Sequence, residues 1–368
     1  MAIETGNSAP SHWSRRDFLL AGAGLMLMPA PALAAPSGAR LLSPVSRGGK
    51  HFAAALEGSE PQLTPLPMRG HGLVPDPRRQ NEALVIARRP GTLAIKLDLR
   101  TGAVLRQWQA EEDRHFFGHA CYSADSRTLF ATENDIETGQ GLVTVRDADD
   151  FRVLAEYRTH GIGPHELLLM PDGVTLAVAN GGIQTLPETG RVKLNRGRIE
   201  TSLVYLDSRD GRLLGRYPLP TTQTSLRHLA VAPDGRLAAA LQFEGDRQQP
   251  GTPLMVFHHG EDALHFAEAP QEAWNRMQHY AASIAYDPDS KRFALSCPYG
   301  SVIACWEAGG DFAGLIEVPK VSGLAFDMHG GFASNELGET YRLDLSTMRA
   351  GLHAKLPGVQ WDNHLYLA

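Results

Sequence analysis

The feature of this sequence that most restricts its fold is a unit of four short apolar segments that recurs along the chain. Each segment has the length and alternation of a β-strand, and turn signals such as PDG, SRDG and PDSK separate the segments. Six units align on these turns, and most begin about 40–50 residues apart, which is the period of propeller blades. Their first strands are headed by His71, His119, His165, His228, Ser283 and Gly323.

The two ends of the chain supply a seventh unit. The final WDNHLYLA is typical of a lone first strand that carries His364, and three segments (ARLLSPVS, HFAAALEG and QLTPLPM) near the start lack a first partner. Pairing these segments closes the ring and leaves no free sheet edge. We therefore predict an all-β, seven-bladed β-propeller over residues 35–368, with one blade shared by the N- and C-terminal strands.

Residues 1–34 have the pattern of an export signal. Arg15 and Arg16 precede an apolar stretch and an Ala-x-Ala cleavage motif that ends at Ala34, and paired arginines mark the twin-arginine pathway. The apolar stretch is shorter than the ~20 residues that span a bilayer. The sequence therefore predicts a twin-arginine signal peptide, a periplasmic location and no transmembrane segment in the mature protein.

Charge and cysteine content narrow the function further. The net charge is −6 and no long basic run occurs, so nothing indicates a nucleic-acid partner. Cys121 stands apart, while Cys297 and Cys305 flank a predicted hairpin. In an oxidising compartment these two could form a disulfide, or they could be small buried hydrophobes. The sequence leaves both readings open.

Several strands that we predict to line the central channel begin with a histidine. In a propeller the first strand of each blade faces the axis, so we expect these histidines to meet at one end of it. Neutral imidazole is the commonest nitrogen ligand of transition metals. The competing interpretation is a set of polar groups that hold waters. We predict an iron or copper site formed by His71, His119, His165, His228 and His364.

Polar neighbours of these histidines are candidates for binding a cofactor or orienting the rings. Glu166 follows His165, and Asp362 and Asn363 precede His364, so these side chains could accept an imidazole N–H. Arg227 precedes His228, and a cation beside a metal is unfavourable unless it faces an anionic co-ligand or a carboxylate.

Two long segments are expected on the same face as the histidines. GIQTLPETGRVKLNRGRIE separates the second and third strands of the third blade, and QEAWNRMQHYAA precedes the fifth blade. Loops of this length are usually functional or disordered. We predict that they form a lid over the channel, to which the second segment contributes His279 as a further ligand candidate.

The sequence also resembles a known family. NGGIQTLPETGRVKLN, SLRHLAVAPDGRLAAALQFEG and WDNHLYL, together with the twin-arginine leader, are similar to an exported bacterial family, domain of unknown function 1513. The resemblance implies a periplasmic propeller with an accessory role in iron uptake, in gene clusters with imelysin-like lipoproteins and cytochrome-like proteins, which are candidate partners. Members tend to have a histidine where this chain has Leu186, which weakens any metal role for the insertion.

Three functions follow as hypotheses. The first is a periplasmic iron- or copper-binding propeller that serves iron uptake. The second is a lactonase-like hydrolase on the same scaffold, with a histidine as general base beside Arg227 and Glu166. The third is a non-catalytic scaffold that binds a partner protein across the lidded face.

Overall fold

The structure is a computed structural model that describes residues 39–190, 192–195, 197–327 and 330–368. The predicted signal peptide lies outside the described residues. Within them, the strands form seven antiparallel sheets, and the predicted seven-bladed β-propeller is confirmed. No helix among the described residues is long and apolar enough to cross a membrane.

Six blades are each built from four consecutive strands. The first three comprise β4–β7 (Gly70–Pro75, Glu82–Ala87, Leu93–Asp98, Val104–Gln109), β8–β11 (Arg114–Tyr122, Thr128–Asp135, Gly141–Asp147, Val153–Arg158) and β12–β15 (Pro164–Leu169, Thr175–Asn180, Ser202–Asp207, Leu213–Pro218). The next three comprise β16–β19 (Thr224–Val231, Leu237–Phe243, Met255–His258, His265–Phe266), β20–β23 (Ser283–Asp287, Arg292–Cys297, Val302–Glu307, Phe312–Glu317) and β24–β27 (Val321–Asp327, Gly330–Asn335, Glu339–Asp344, Arg349–Lys355).

The seventh blade joins the two ends of the described chain, as the sequence predicted. Its strands are β1–β3 (Arg40–Arg47, Lys50–Glu57, Glu60–Leu66) and the short β28 and β29 (Val359–Trp361, Tyr366–Leu367). Both short strands pair with β1, through Val45–Trp361 and Leu41–Leu367. The innermost strand of this blade is therefore interrupted, and the interruption contains His364.

The core of the molecule lies between the blades. Seven separate clusters of buried apolar side chains occur among the described residues, and each one joins two successive blades. One of them packs Leu42 of the seventh blade against Leu73 of the first, which closes the ring. Alternating strand residues supply these clusters because successive side chains point to opposite faces of a sheet.

The Asp-containing turns that revealed the repeat have a direct structural role. The carboxylate of Asp172 accepts hydrogen bonds from the backbone N–H groups of Val174 and Thr175. Asp98 does the same for Arg100 and Thr101. An aspartate at the start of such a turn satisfies donors that the strand ladder leaves unpaired, so the motif marks a strand end.

The two long segments behave differently from each other. The insertion after β13 has a 3-10 turn at Pro187–Thr189 among its described residues, and Asn195 anchors it by donating to the Gly182 carbonyl at 2.7 Å. The segment before β20 instead forms a helix, α1 (Gln271–Met277), and the prediction of a loop there was wrong. Trp274 and Met277 lie one helical turn apart and bury into the core between the fourth and fifth blades.

The cysteines do not form a disulfide. All three lie within the described residues and are free thiols. The hairpin between β21 and β22 pairs Cys297 with Val302 and Cys305 with Ala294. The two cysteines are therefore not paired across the hairpin, and their side chains pack in different inter-blade clusters. Of the two readings that the sequence left open, small buried hydrophobes is the one observed.

Candidate metal centre

Five histidine rings meet at the axis of the propeller. Most pairs of ring centroids lie 4.5–6.4 Å apart, from 4.5 Å for His119–His364 to 6.4 Å for His71–His228. The rings are nearly inaccessible to solvent, with exposures between 2% and 6%. The structure thus brings together the whole predicted ligand set: His71, His119, His165, His228 and His364.

Irregular strands aim these rings at the axis. The pairing between the first and second strands of a blade shifts register at His71 and again at His165. It also shifts across the stretches that contain His119 and His228. A β-bulge re-aims a side chain out of the regular alternation, so each of these histidines is released from the sheet face that its position would dictate.

A glycine leaves room for one of these rings. Gly118 precedes His119 and has a φ of +102°. A Cβ at this position would lie 2.6 Å from Cδ2 of the His71 ring. Only glycine adopts this backbone conformation without strain and leaves room for the ring of the neighbouring blade.

One carboxylate holds two of the rings. The Glu166 oxygens lie 3.4 Å from Nδ1 of His119 and 3.2 Å from Nδ1 of His228. A carboxylate only accepts hydrogen bonds, so both rings place their proton on Nδ1. The lone pair of each neutral ring is then on Nε2, which is the arrangement found for carboxylate-supported metal ligands. Glu166 therefore orients His119 and His228, and not its sequence neighbour His165.

A second carboxylate holds a third ring. Asp362 Oδ1 lies 3.2 Å from Nδ1 of His71. The same carboxylate accepts from Arg69 at 2.9 Å and from Arg88 at 3.0 Å, and also from the backbone N–H of Asn363 at 2.8 Å. Asp362 thus orients His71. Asn363 acts through its backbone, which secures Asp362.

His165 has a different environment from the other rings. Its Nδ1 lies 3.5 Å from a terminal nitrogen of Arg227, which can only donate. Arg227 also lies 3.3 Å from Glu244, and Glu244 pairs with Lys193 of the insertion. The Glu244 carboxylate therefore partly compensates the positive charge of Arg227, which the sequence predicted to be unfavourable beside a metal. The Arg227 contact leaves the His165 proton on Nε2, so His165 is the least suited of the five to bind a metal through that atom.

Three of the rings are left with an unused nitrogen. The Nε2 atoms of His119, His228 and His364 are buried and have no hydrogen-bond partner. One ligand atom from each of these residues can be placed within 4.8 Å of the others, and the same holds for His71, His119 and His165. A buried imidazole nitrogen without a partner costs free energy. Three such atoms on neighbouring rings form a candidate ligand set.

Burial also favours the neutral form of four of the five rings. Desolvation holds the pKa values of His71, His165 and His364 well below the usual value, and it lowers the pKa of His228 as well. Burial opposes ionisation of Glu166, but charge interaction with His119 and hydrogen bonds from His119 and His228 outweigh it and hold its pKa low. Neutral imidazoles beside an ionised carboxylate are the protonation states that a metal needs.

The structure does not bring His279 to this cluster. Its ring packs 5.0 Å from that of Phe243, and its Nε2 contacts the carbonyl of Gln249 at 3.1 Å. Helix α1 fixes this position because His279 follows directly after the left-handed residue Gln278 that ends the helix. In the described structure His279 belongs to the packing of the fourth blade, and its predicted ligand role has no geometric support.

Sequence reasoning missed Arg69, Arg88, Lys193 and Glu244. Arg88 and Glu244 each follow directly after the second strand of a blade, β5 and β17. That strand end lies beside the start of the first strand in an antiparallel pair, as Gly70–Ala87 pairing shows. A charged residue at this point of the aligned repeat was therefore a usable signal.

These features define a class: a β-propeller with a buried cluster of histidines on its axis, supported by carboxylates. The family comparison then places the chain. Residues 64–368 match the family model described as protein of unknown function (DUF1513), and the chain belongs to that family.

One solved structure supports the propeller fold, and the fold alone. The chain is similar to a periplasmic gluconolactonase, PpgL, of Pseudomonas aeruginosa, at 16% identity and a TM-score of 0.60, over 90% of this chain and 99% of that one. It also matches hydrazine synthase of Kuenenia stuttgartiensis at 12% identity and a TM-score of 0.42, over 78% of this chain and 96% of that one. No curated protein sequence matches.

Proposed function

We propose that this protein binds a transition metal, iron or copper, at the axial histidine cluster. The observation that carries the proposal is the group of three buried Nε2 atoms, from His119, His228 and His364, that lack a hydrogen-bond partner. Imidazole nitrogen suits copper and iron, and rigid strands hold such ligands in place. His71 completes the ligand set from the first blade, and His165 is the fifth ring of the cluster.

The surroundings of the cluster support the same function. Glu166 and Asp362 accept from ring nitrogens, and partners of this kind typically contribute about 10–100-fold to metal affinity. The lowered pKa values leave His71, His228 and His364 unprotonated near neutral pH. No proton would need to be displaced from these rings on binding.

We further propose that the protein works in the periplasm as an accessory to iron uptake. The twin-arginine pattern of residues 1–34 supports export, and this pathway carries proteins that fold before they cross the membrane, often around a cofactor. The gene clusters associated with the family suggest imelysin-like or cytochrome-like periplasmic proteins as partners. Pull-down from periplasmic extract, with the metal-loaded protein as bait, tests this part separately.

Elemental analysis tests the metal site directly. Protein purified from the periplasm of its own host is expected to retain iron or copper. A variant with His119, His165 and His228 replaced by alanine is expected to retain none. The matched control replaces Ser283 and Ser322, which lie on the innermost strands of the fifth and sixth blades, and should keep the metal. Wild-type protein with no measurable affinity for iron or copper would refute the proposal.

A lactonase-like hydrolase remains the second candidate. The pairs that Glu166 makes with His119 and His228 are also what a general base requires, because the carboxylate fixes the tautomer and orientation of the imidazole. Lactone hydrolysis measured with and without chelator separates the two functions. Turnover that survives complete removal of metal would favour the hydrolase.

A further inference from the structure

Positive charge is in excess around the histidine cluster. Asp362 is shared by Arg69 and Arg88, and Glu244 is shared by Arg227 and Lys193. Each of these trios carries one positive charge in excess. Glu166 supplies one negative charge, and burial favours the neutral forms of His228 and His364 by lowering their pKa values. The named charges therefore sum to one positive charge even before a metal enters.

Arg227 is the least satisfied of these cations. Its side chain is 3% exposed, and its contacts to Glu244 at 3.3 Å and to His165 at 3.5 Å are both long. Its Nε is buried without a partner. A guanidinium has five N–H donors arranged to grip an oxyanion through two parallel hydrogen bonds. Burying one with so few partners is costly unless a ligand completes it.

A metal ion would increase the excess of positive charge. A divalent ion in the cluster would add two positive charges next to the contact between Arg227 and His165. Coulomb repulsion in a site that excludes water is only weakly screened. An anion that contacts both the metal ion and Arg227 would relieve the repulsion. An anion with oxygen donors would also suit iron or copper as a ligand.

We propose that the metal is held together with an oxyanion, which binds Arg227 and supplies an oxygen ligand to the ion. This inference rests on the proposed function. The oxyanion is a phosphate or the carboxylate of a metal chelate, since both present the two adjacent oxygens that Arg227 can grip. No covalent step is involved.

A cleft beside the cluster offers a route for this ligand. Ile183, Lys193 and Asn195 of the insertion face Gln223 and Glu244 of the fourth blade across it. Glu244 lies between the cleft and Arg227, since its two oxygens contact Lys193 and Arg227. An incoming oxyanion would compete with Glu244 for both cations, so Glu244 occupies the place where the anion is expected.

The test uses copper(II)-loaded full-length protein, freed of excess metal, and follows the copper visible and EPR spectra. Inorganic phosphate and citrate are titrated in separate arms, with chloride as the anion that lacks oxygen donors. Phosphate or citrate is expected to shift the spectra, and chloride is not. The arm that saturates at the lower concentration distinguishes a free phosphate from a chelating carboxylate.

Variants assign the effect to Arg227. Arg227→Gln should still load copper but bind the oxyanion about tenfold more weakly, because a charge-assisted hydrogen bond is lost. Glu244→Gln should bind it more tightly, because its competitor is gone. The oxyanion affinity of Arg227→Lys should lie between those of wild type and Arg227→Gln, because lysine keeps the charge but lacks the paired N–H donors of the guanidinium. Arg152→Gln, at an exposed arginine of the second blade, is the control and should match wild type.

The outcomes separate this inference from the metal site. Wild-type protein that loads copper but shows the same spectra with every anion overturns the inference and leaves the metal site standing. Equal oxyanion affinity in wild type, Arg227→Gln and Glu244→Gln overturns it as well. Wild-type protein that does not bind copper or iron refutes the proposed function, and the inference falls with it.

Discussion

The two sides of the central channel differ, although the same four-stranded unit builds both. The first four blades and the C-terminal strand each bring a histidine to the axis. The innermost strands of the fifth and sixth blades, SIAYD and VSGLAFD, contribute Ser283, Ser322 and Gly323 instead. We refer to these as the histidine side and the serine side.

Hydrogen bonding distinguishes the two sides more sharply than residue type does. On the serine side, Ser296 Oγ donates to the Ser322 carbonyl at 2.5 Å, and Ser322 Oγ donates to the Ser334 carbonyl at 3.4 Å. These hydroxyls link neighbouring strands. On the histidine side, three ring nitrogens have no partner. A protein that only needed to fill its channel could have used the first solution throughout, so the second supports the proposed metal site.

Local backbone geometry follows this division only in part. β20 pairs with β21 in unbroken register from Ser283–Ser296 to Asp287–Arg292. The histidine-bearing strands β4, β8, β12 and β16 all shift register at or across the histidine. On the serine side, β24 also shifts register, between Val321 and Leu324, so a register shift alone does not distinguish the two sides. At the four histidine-bearing strands, the shift aims the ring at the cost of ladder hydrogen bonds.

The largest expected effect comes from removing ligands on the histidine side. Replacing His228 and His364 together by alanine should abolish metal retention, a larger loss than the ~10–100-fold contributed by outer partners. The matching pair on the serine side, Ser283→Ala with Ser322→Ala, should leave metal affinity unchanged. Isothermal titration of metal-free protein measures both. Equal losses in the two pairs would mean that the two sides do not differ in function.

Glu166→Gln should give the next largest effect. The amide can donate as well as accept, so it no longer fixes the Nδ1–H tautomers of His119 and His228. Metal affinity should fall by about 10–100-fold while the fold persists. Glu307→Gln, at a half-exposed carboxylate of the fifth blade paired with Arg292, serves as control. An unchanged affinity in Glu166→Gln would show that the carboxylate does not support the metal ligands.

Gly323→Ala, a substitution on the serine side, should also disturb the histidine side. A Cβ there would lie 2.6 Å from Ser334 Oγ and 3.0 Å from Leu365 Cβ, next to His364. Relieving this contact requires the C-terminal strand to move, which should cost about 1–3 kcal/mol of stability and weaken metal binding.

Gly309→Ala is the control for that substitution, because nothing lies within 4 Å of its Cβ and its φ is not positive. Urea unfolding and metal titration are measured for both variants. If Gly323→Ala lowers stability but leaves metal affinity intact, His364 does not contribute to the site through the position of this strand.

The sequence predicted the fold and the identity of the axial residues for the same reason. Asp-containing turns fix where each strand ends, so aligning them aligns the strands, and the first strand of each unit faces the axis. The pairing of the C-terminal segment with the N-terminal strands was also predicted, since three N-terminal segments lacked a partner, but its interruption at His364 was not.

Contacts between blades could not be predicted in this way. Glu166 neighbours His165 in the sequence but contacts His119 and His228, while Arg227 neighbours His228 but contacts His165. Adjacent residues on a strand point in different directions, and the bulges that decide the final direction depend on packing against the next blade. His279 was misplaced for a related reason: the apolar spacing of α1 was read as a loop.

The smallest expected effect is a pH dependence of stability that arises from the histidine side. Burial lowers the pKa values of His71, His165, His228 and His364. As pH falls through about 6.5, the unfolded chain therefore takes up protons that the folded chain does not. The free energy of unfolding should fall with decreasing pH, with a limit of about 1.4 kcal/mol per pH unit for each such ring.

Urea unfolding of chelator-treated protein at pH 7.5 and 5.5 measures this slope. A His71→Gln, His228→Gln double variant should show a shallower slope, because two of the responsible rings are gone. His265→Gln, at an exposed histidine of β19, should keep the wild-type slope. Ser283 and Ser322 do not titrate in this range, so the serine side adds nothing to the slope. Burial also lowers the pKa values of His115, His258 and His353, so the difference between wild type and the double variant reports the histidine side. A stability that rises on acidification would mean that the rings are charged in the folded state, and such rings could not bind a metal.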